Sequence, residues 1–284
     1  MSDQVRITSP ERVVYPESGF TKLQVAEYYR AVAERILPHV AGRPLSLVRC
    51  PQGLIRPCFY HRHRTRGFPA SVRGVMVQQL DGPEEHLVID DQDGLLALVQ
   101  FGGLEIHPWG CRADRLDEPD RLVLDLDPDP ELPWAAVIEA TLEVRERLLG
   151  IGLESFAKTT GGKGMHVLAP FEPGPSWEQL GTLARSLAGV MVADSPDRYL
   201  DVMTRKKRRG KIYLDFQRNK PGATSVAAYS TRARPGGLVS TPVAWSEVTP
   251  ALDPHGLTLA TVPGRADPWV GFFELRQALP SSGE

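Results

Sequence analysis

Hydrophobic periodicity predicts a chain in which helices alternate with short strands. Apolar residues recur at the spacing of amphipathic helices over residues 21–37, 132–152 and 176–192. The first and third stretches begin with possible capping boxes, Thr21 with Gln24 and Ser176 with Gln179. In such a box a hydroxyl and a glutamine side chain satisfy free amides of the first turn. The first helix is expected to end before Pro38, because a proline ring obstructs a helix interior.

Runs of β-branched and aromatic residues bounded by turn residues predict strands between these helices. The runs are "PLSLVRC" (44–50), "CFYHRH" (58–63), "EHLVIDD" (85–91), "LVLDLD" (122–127), "SFAKTT" (155–160), "MHVLAP" (165–170) and "KIYLDF" (211–216). The stretch 95–109 predicts a strand or a mixed element, and Asp267 followed by Pro268 predicts a last short helix. Because strands and helices are interspersed, we expect an α/β or mixed α+β fold.

The length of 284 residues allows one large domain or two small ones. We expect one compact domain over 1–284, with a soft division near residue 117 into parts 1–117 and 118–284. No apolar run approaches the length of a membrane span, and the N-terminus lacks a signal-peptide segment. We therefore expect a cytoplasmic protein without a membrane partner. The three cysteines are odd in number and widely spaced, so a disulfide framework is not expected.

The distribution of charge is more informative than the net charge of −2. Residues 42–80 contain seven arginines and no acidic residue, and 204–211, "TRKKRRGK", form a second basic block. Basic patches on a nearly neutral protein indicate a local anionic partner, with nucleic acid the obvious candidate. An arginine-rich solvated surface is an equally good interpretation of the charges alone.

Aspartates alternate with leucines in "LVLDLD". In a strand, Asp125 and Asp127 face the same side, and the leucines face the other. Adjacent carboxylates repel unless a cation lies between them, and such oxygen ligands suit Mg²⁺ or Mn²⁺. Asp215 in "KIYLDF" would add a third carboxylate from a neighbouring strand and complete a site for two divalent cations. The alternative is an acidic strand end at the surface.

The stretch "TTGGKGMHVLAP" (159–170) joins two predicted strands through a glycine loop. It is not a P-loop, because the lysine is followed by neither serine nor threonine at the start of a helix. Glycine amides can converge into an anion-binding nest, to which Lys163, Thr160 and His166 could contribute. A hairpin turn with an exposed lysine explains the loop equally simply. Together with the aspartates, the loop favours a phosphate site.

Aromatic residues precede cationic ones in "CFYHRH", a combination that suits base stacking and phosphate contacts. The region also contains a possible zinc ligand set, Cys50, Cys58, His61 and His63. Its spacing matches no familiar finger or ribbon. In "EIHPWG", His107 is either a packed structural histidine or a ligand contact.

Taken in order, these motifs resemble the polymerase domain of bacterial DNA ligase D, a branch of the archaeo-eukaryotic primase superfamily. The similarity extends from "ITSPERVVYPESGFTKLQVAEYY" through "LEIHPW", "LVLDLDPD", "TTGGKGMHV" and "RRGKIYLDFQRN" to "AYSTRARPGGLVSTPVAW". It implies a primase-polymerase catalytic core with central mixed or antiparallel sheets flanked by helices. It also implies nucleotide addition from NTP or dNTP substrates, often favouring ribonucleotides, with two Mn²⁺ or Mg²⁺ ions. The family fills gaps and ends in non-homologous end joining, with Ku and an ATP-dependent DNA ligase as partners.

The resemblance also implies roles for individual residues. The catalytic metal ligands would be Asp125, Asp127 and Asp215. Nucleotide contacts would come from Phe59, His107, Thr160, Gly161, Lys163, His166 and Arg232. Contacts to DNA with 5′-phosphorylated gaps or broken ends would come from Arg12, Lys22, Arg49, Arg62, His63, Lys206 and Arg208. Departures from the usual pattern are mild: Thr160 replaces serine, Tyr60 replaces phenylalanine and Arg12 replaces lysine.

Other functions compete with this interpretation. A non-catalytic scaffold could use the arginine patches to hold DNA ends for a separate ligase. A metal-dependent phosphatase or nuclease could use the same aspartates, but Asp129 stands where aspartyl phosphatases have threonine or valine. With no ligase or phosphoesterase segment in the sequence, we expect a stand-alone polymerase or one domain of a longer protein, located in the cytoplasm and associated with the nucleoid.

Overall fold

The computed structural model describes residues 5–79, 82–204 and 208–280. The chain forms two compact units, which are described separately. Unit 1 contains Met1–Asp114, Val226–Thr241 and His255–Ala266. Unit 2 contains Arg115–Ser225, Pro242–Pro254 and Asp267–Glu284. Thus two late segments of the chain return to unit 1. The expectation of one domain over 1–284 stays a prediction.

The helices of unit 1 are α1 (Lys22–Ala31), α2 (Ala33–Val40) and α3 (Gln92–Gln100). The capping box of Thr21 and Gln24 is confirmed at the start of α1. The prediction that this helical stretch ends before Pro38 was wrong, because the break lies at Val32 and Pro38 is inside α2. Proline has no backbone N–H. Because Pro38 lies near the end of this short helix, only one backbone hydrogen bond is lost.

The strands of unit 1 form a hairpin and an antiparallel sheet. In the hairpin, β1 (Val13–Tyr15) pairs with β2 (Phe20–Thr21). The sheet contains β3 (Leu45–Arg49), β4 (Phe59–His61), β5 (Val72–Gln79), β6 (Gly82–Ile89) and β7 (Gly103–Pro108). Strand β3 pairs with β4, β6 and β7, and β5 pairs with β6. Strand β8 (Cys111–Arg112) follows. The stretch 95–109 is indeed mixed, since α3 is followed by β7.

Unit 2 is built on one mixed sheet with two long helices. Its strands are β9 (Arg115–Pro119), β10 (Arg121–Pro128), β11 (Phe156–Thr159), β12 (Met165–Pro170), β13 (Tyr199–Leu200), β14 (Ile212–Asp215) and β15 (Pro242–Val243). The sheet runs β13-β14-β10-β12-β11-β15. All its pairings are antiparallel except β13 with β14. The helices are α4 (Trp134–Gly150) and α5 (Trp177–Asp194), and α5 begins with the predicted capping box of Ser176 and Gln179.

The apolar face of this sheet anchors unit 2. Leu124 and Leu126 of β10 are buried and share their face with Met165, which pairs with Leu126. From α4, Val137 and Ile138 pack in one cluster with Met165. Full burial of each such side chain stabilises the fold by about 1.5–3 kcal/mol. The alternation in "LVLDLD" therefore fixes which side of β10 faces the core and which carries the carboxylates.

Two expectations from the sequence were wrong. Cys50 and Cys58 form a disulfide, because the turn between β3 and β4 returns the chain on itself. The possible zinc set that included both cysteines is therefore not formed. The C-terminal stretch after Asp267 forms turns instead of a helix, and the Asp267 carboxylate accepts a bond from the amide of Trp269. In the described part of the chain, no helix combines the length and apolar character needed to cross a bilayer.

Candidate active site

A row of polar residues crosses one face of the unit 2 sheet. Asp125 on β10 is paired with Asp215 on β14 and with His166 on β12, and His166 is paired with Lys158 on β11. Directly paired residues of antiparallel strands lie on the same face. Asp127 joins them, because it lies two residues beyond Asp125. The structure thus brings Asp125, Asp127 and Asp215, the carboxylate cluster, to one face of one sheet.

Two arginines form ion pairs with the carboxylate cluster. The Nη2 atom of Arg218 lies 3.2 Å from Asp125 Oδ2 and 3.1 Å from Asp215 Oδ2. Arg208 donates to Asp127 Oδ2 at 2.6 Å, and its guanidinium lies 4.2 Å from the centre of the Tyr213 ring. Sequence reasoning missed Arg218, although "LDFQRN" places a cation three residues after the last aspartate.

Burial and neighbouring charges shift the pKa values of Asp125, His166 and Asp127 in different directions. Burial acts to raise the pKa of Asp125, but His166 and Arg218 outweigh it and hold that pKa well below its ordinary value. Burial, followed by the charge of Lys158, lowers the pKa of His166 to about 4. An ionised Asp125 therefore accepts a bond from a neutral His166, with Nε2 and Oδ1 3.2 Å apart. Burial and the charge of Asp125 raise the pKa of Asp127, against the opposing effect of Arg208.

The carboxylate cluster fits divalent cations. Its ligands are hard oxygens of the type that Mg²⁺ and Mn²⁺ prefer. Two of these oxygens, from Asp125 and Asp215, converge on one cationic nitrogen of Arg218, so this point of the sheet attracts positive charge. Burial, followed by the charge of Asp125, raises the pKa of Asp127, and a bound cation would favour its ionised form. Asp125, Asp127 and Asp215 are therefore the residues that would hold metal ions.

The glycine loop, residues 160–164, packs directly on the strand of the carboxylate cluster. Thr160 donates from its amide and its hydroxyl to the Gly164 carbonyl, both at 3.1 Å. A Cβ atom on Gly164 would lie 2.4 Å from the Leu126 carbonyl oxygen, so only glycine allows this approach to β10. Gly161 has a φ of +64°, which also favours glycine. Two glycines thus permit the fold of the loop.

Donors of the glycine loop remain available for an anion. The amides of Gly161, Gly162 and Lys163 take no part in the bonds that close the loop. Lys163 is exposed, and its Nζ donates to the Pro130 carbonyl at 3.1 Å. That contact is to a neutral oxygen, which leaves the ammonium charge uncompensated. Successive amides beside a cation form the kind of concavity that binds phosphate.

A buried carboxylate in unit 1 joins two of the predicted nucleotide contacts. Glu105 Oε2 lies 2.7 Å from His107 Nε2, and Glu105 Oε1 lies 3.1 Å from Arg232 Nε. The amide of Ala233 donates to Glu105 at 2.8 Å. Although burial opposes it, bonding from His107 and the charge of Arg232 lower the pKa of Glu105 to about 2. Sequence reasoning missed Glu105, although the alternation in "LEIHPW" puts it on the same side as His107.

The predicted base-stacking residue lies on an exposed strand of unit 1. Phe59 on β4 is 48% exposed, and the Arg49 guanidinium lies 5.5 Å from its ring centre. Tyr60 is 76% exposed, with its ring 6.2 Å from that of His107. Large aromatic side chains at such exposure have apolar faces available for a partner.

A cationic cavity in unit 1 brings together three of the predicted DNA contacts. The cavity has a volume of about 230 Å³ and is lined by Arg12, Lys22 and Arg49 but by no acidic residue. Lys22 is buried, and its Nζ donates to the Thr8 carbonyl and to two oxygens of Gln100. Burial and the charge of Arg12 lower the pKa of Lys22 to about 8. Adjacent cations without a carboxylate make this cavity suitable for an anion.

Among the other predicted DNA contacts, Arg62, His63 and Arg208 contact neighbouring side chains. Arg62 donates from Nε to His63 Nε2 at 3.0 Å and lies 3.4 Å from Glu84. Arg208 is bound to Asp127, as described above. Lys206 lies outside the described residues. Neither Arg62 nor His63 lines the cavity around Lys22.

Comparisons with known proteins agree on one family. The family model described as the LigD primase-polymerase domain matches residues 21–269. A multifunctional non-homologous end joining protein LigD from Pseudomonas aeruginosa is 37% identical over 98% of this chain and 34% of that protein. A bifunctional LigD from Bacillus subtilis is 27% identical over 98% of this chain and 46% of that protein. The chain thus spans a third to a half of the length of these relatives.

A solved structure supports the same relationship. It is the polymerase domain from Mycobacterium tuberculosis ligase D in complex with DNA, with a TM-score of 0.86 and 32% sequence identity. The match covers 91% of this chain and 93% of the mycobacterial chain. The expected mixed α/β fold is confirmed by this match.

Proposed function

The chain belongs to the LigD primase-polymerase domain family, and from that premise we propose that it extends primer ends during non-homologous end joining. The activity is that of a DNA-directed nucleotidyltransferase that fills gaps and overhangs before ligation. The observation that carries the proposal is the carboxylate cluster, in which Asp125 and Asp215 meet by strand register and Asp127 joins them on the same face.

The carboxylate cluster supplies the ligands for two divalent cations, Mn²⁺ in preference to Mg²⁺. When bound, such ions activate the attacking hydroxyl and stabilise the leaving oxygens of a phosphoryl transfer. Asp125 stays ionised through its contacts with His166 and Arg218, so it is ready to bind a cation at neutral pH. Arg218 and Arg208 hold the carboxylates in place until positive charge arrives, and their side chains are long enough to withdraw.

The glycine loop binds the triphosphate. The amides of Gly161, Gly162 and Lys163 lie between Thr160 and Gly164, whose hydrogen bonds close the loop. Lys163 exchanges its contact with the Pro130 carbonyl for a phosphate oxygen, which is the stronger, charge-assisted acceptor. Preorganised donors of this type stabilise negative charge that develops on pyrophosphate as it leaves. His166 contributes through its bond to Asp125.

For unit 1 we retain the roles that the family resemblance implies. Phe59 stacks on the incoming base, His107 meets the ribose 2′-hydroxyl, and Arg232 contacts the triphosphate. Support comes from the exposure of the Phe59 ring and from Glu105, which fixes both His107 and Arg232. The 2′-hydroxyl distinguishes a ribonucleotide from a deoxyribonucleotide. A contact between this hydroxyl and His107 would give a preference for ribonucleotides.

The cavity around Lys22 recognises the 5′-phosphate of the downstream DNA strand. Arg12 and Lys22 supply the positive charge, and the absence of acid among the lining residues favours a phosphate dianion. The basic stretches at Arg62, His63, Lys206 and Arg208 add contacts to the DNA backbone. Backbone contacts of this kind depend on salt and not on sequence.

We propose the partners and location that the family resemblance implies, Ku and an ATP-dependent DNA ligase, at the nucleoid in the cytoplasm. The relatives' names, which specify non-homologous end joining, support this. The alternative is a non-catalytic scaffold that only holds DNA ends, which the cationic cavity alone would also serve. The carboxylate cluster disfavours this alternative, because a scaffold has no use for three converging acids.

Primer extension tests the proposal. The substrate is a gapped duplex with a 5′-phosphate on the downstream strand, supplied with ribo- or deoxynucleotides and either Mn²⁺ or Mg²⁺. We expect template-directed extension that is fastest with Mn²⁺ and ribonucleotides. Tight binding of the gapped duplex without any extension would support the scaffold instead, and shortening of the primer would indicate a nuclease.

A further inference from the structure

A cluster of potential metal ligands in unit 1 is separate from the carboxylate cluster. The ligand atoms of His63, Glu84 and His86 all lie within 4.8 Å of one another. Glu84 Oε2 is 3.8 Å from His63 Nε2 and 3.8 Å from His86 Nε2. A tetrahedral zinc site with bonds of about 2.0–2.1 Å separates its ligands by roughly 3.3 Å, so small side-chain movements would close this cluster around an ion.

Strand geometry places these three side chains together. Glu84 and His86 are two residues apart on β6, so both point to the same side of the strand. His63 follows β4 and pairs directly with His86 in an antiparallel bridge. The backbone bond from Leu87 to the Arg62 carbonyl and the bond from Arg64 to the Glu85 carbonyl fix this register. The cluster is therefore set by two hydrogen-bonded segments and does not depend on a flexible loop.

Three polar atoms of the cluster lack a hydrogen-bond partner among the described residues. His86 is only 1% exposed, yet neither of its ring nitrogens has a hydrogen-bond partner among the described residues. The same holds for Glu84 Oε2. Buried polar atoms without a hydrogen-bond partner are rare and destabilising. A ligand that bonds to these atoms would remove this cost.

We propose that His63, Glu84 and His86 form a zinc-binding site in unit 1. Two imidazoles and one carboxylate are a ligand set that zinc uses when it keeps one position open. Imidazole ligands favour zinc over the magnesium and manganese that suit the all-oxygen carboxylate cluster. The two sites would therefore select different ions. Bound zinc would tie the segment after β4 to β6 through side chains as well as through the backbone.

Arg62 is the competitor of the metal. It donates to His63 Nε2 at 3.0 Å and lies 3.4 Å from Glu84 Oε2, so it uses one nitrogen and one oxygen that zinc would take. The Arg62 side chain is 52% exposed and can turn into solvent without breaking a buried contact. Zinc therefore cannot bind while Arg62 keeps these two contacts. Metal binding would thus release an arginine from Glu84 toward solvent.

Direct measurement of zinc on the full chain tests the site. The protein is stripped with a chelator and titrated with Zn²⁺ against a chromophoric competitor, and bound metal is counted by mass spectrometry after gel filtration. We expect one tight equivalent of zinc, retained in Asp127→Ala, which disables the carboxylate cluster. His63→Gln and Glu84→Gln should each weaken binding by at least about 100-fold, because even changes behind the ligands of a metal site cost about 10–100-fold.

Matched controls distinguish zinc binding at this site from nonspecific binding of zinc to other histidines. His255→Gln removes an exposed histidine of the same unit and should leave zinc affinity unchanged. Histidine NMR of the unaltered chain requires no variant, and zinc should shift the ring signals of two histidines. The proposal is overturned if no tight equivalent binds, if both ligand variants bind zinc as well as the unaltered chain, or if Asp127→Ala abolishes binding.

Discussion

Asp125 and Asp215 are direct partners in the register of β10 and β14, and one nitrogen of Arg218 bridges their carboxylates at 3.2 and 3.1 Å. Two like charges about 4 Å apart repel by about 4 kcal/mol at an effective dielectric constant of 20. The pairing of these strands is therefore compatible with two ionised aspartates only when a cation lies beside them. Without metal, Arg218 is that cation.

Arg218→Gln should make the stability of the protein depend on divalent metal. In chelator, the substitution leaves two facing carboxylates without their shared cation, and we expect a loss of about 1–2 kcal/mol for a pair that is partly exposed. This loss corresponds to a decrease in Tm of a few degrees, about 2–4 °C per kcal/mol for a chain of this size. Mn²⁺ should then raise Tm more in the variant than in the unaltered chain. Calorimetry with and without Mn²⁺ measures both effects, and equal Mn²⁺ responses would contradict the assignment.

Asp127→Ala should abolish primer extension while leaving the protein folded. Asp127 is a predicted metal ligand, and ion binding at such a site contributes several kcal/mol to the transition state. We expect a decrease in the rate of about a thousandfold or more, measured by single-turnover extension in saturating Mn²⁺. Asp129→Asn is the matched control, because Asp129 is a half-buried acid two residues further on that accepts a hydrogen bond from the amide of Glu131. Its rate should remain near that of the unaltered chain, and equal losses in both variants would refute a specific role for Asp127.

Lys22 should confer a pH-dependent preference for 5′-phosphorylated gaps. Burial and Arg12 lower its pKa from 10.5 to about 8, so most of its charge is present at pH 7 and most is lost by pH 9. The ratio of affinities for 5′-phosphate and 5′-hydroxyl gaps should therefore fall across this range. Lys22→Gln should lower the ratio by about tenfold at pH 7, the value of one charged hydrogen bond, and should remove the pH dependence. Fluorescence anisotropy measures these affinities, with Lys220→Gln as an exposed lysine control.

As the pH rises, Lys22 should increase the stability of the folded chain, although the preference for 5′-phosphate falls. Its pKa is lower in the folded chain than in the unfolded one, so the unfolded chain binds more protons between about pH 8 and pH 10.5. The contribution of Lys22 to the free energy of unfolding therefore rises with pH through this window. Lys22→Gln should flatten the rise, as measured by urea unfolding at several pH values. An unchanged slope would show that Lys22 titrates normally.

Local sequence patterns predicted the local parts of this site. Alternation in "LVLDLD" depends only on the geometry of one strand, and it predicted that Asp125 and Asp127 share a face. The capping boxes at Thr21 and Ser176 are equally local, since each involves residues within one turn. These features need no knowledge of the neighbouring strands, which is why the sequence alone predicts them.

Features that depend on how separate segments of the chain pair were not predictable in the same way. Glu105 contacts Arg232 because the late segment Val226–Thr241 belongs to unit 1. The disulfide of Cys50 and Cys58 required the close return of the chain between β3 and β4. The cluster around His86 needed the bridge to His63. In each case the sequence shows the reactive side chain, but strand register and the path of the chain determine which residue it contacts.

Glu105→Gln should weaken nucleotide binding and reduce acid sensitivity together. The substitution removes the charge that holds His107 and Arg232. We therefore expect the KM for the incoming nucleotide to rise about tenfold, by loss of the charge-assisted hydrogen bond with His107 and of the ion pair with Arg232, with a smaller change in kcat. The pKa of Glu105 falls from 4.5 to about 2 on folding, so its stabilising contribution is present above pH 4.5 and is lost as the pH falls toward 2. The variant should therefore lose less stability than the unaltered chain over this range. Steady-state kinetics and acid unfolding measure the two effects. Glu118→Gln, which alters a partly exposed acid of unit 2, should change neither. An unaltered KM in Glu105→Gln would show that Glu105 does not position His107 and Arg232.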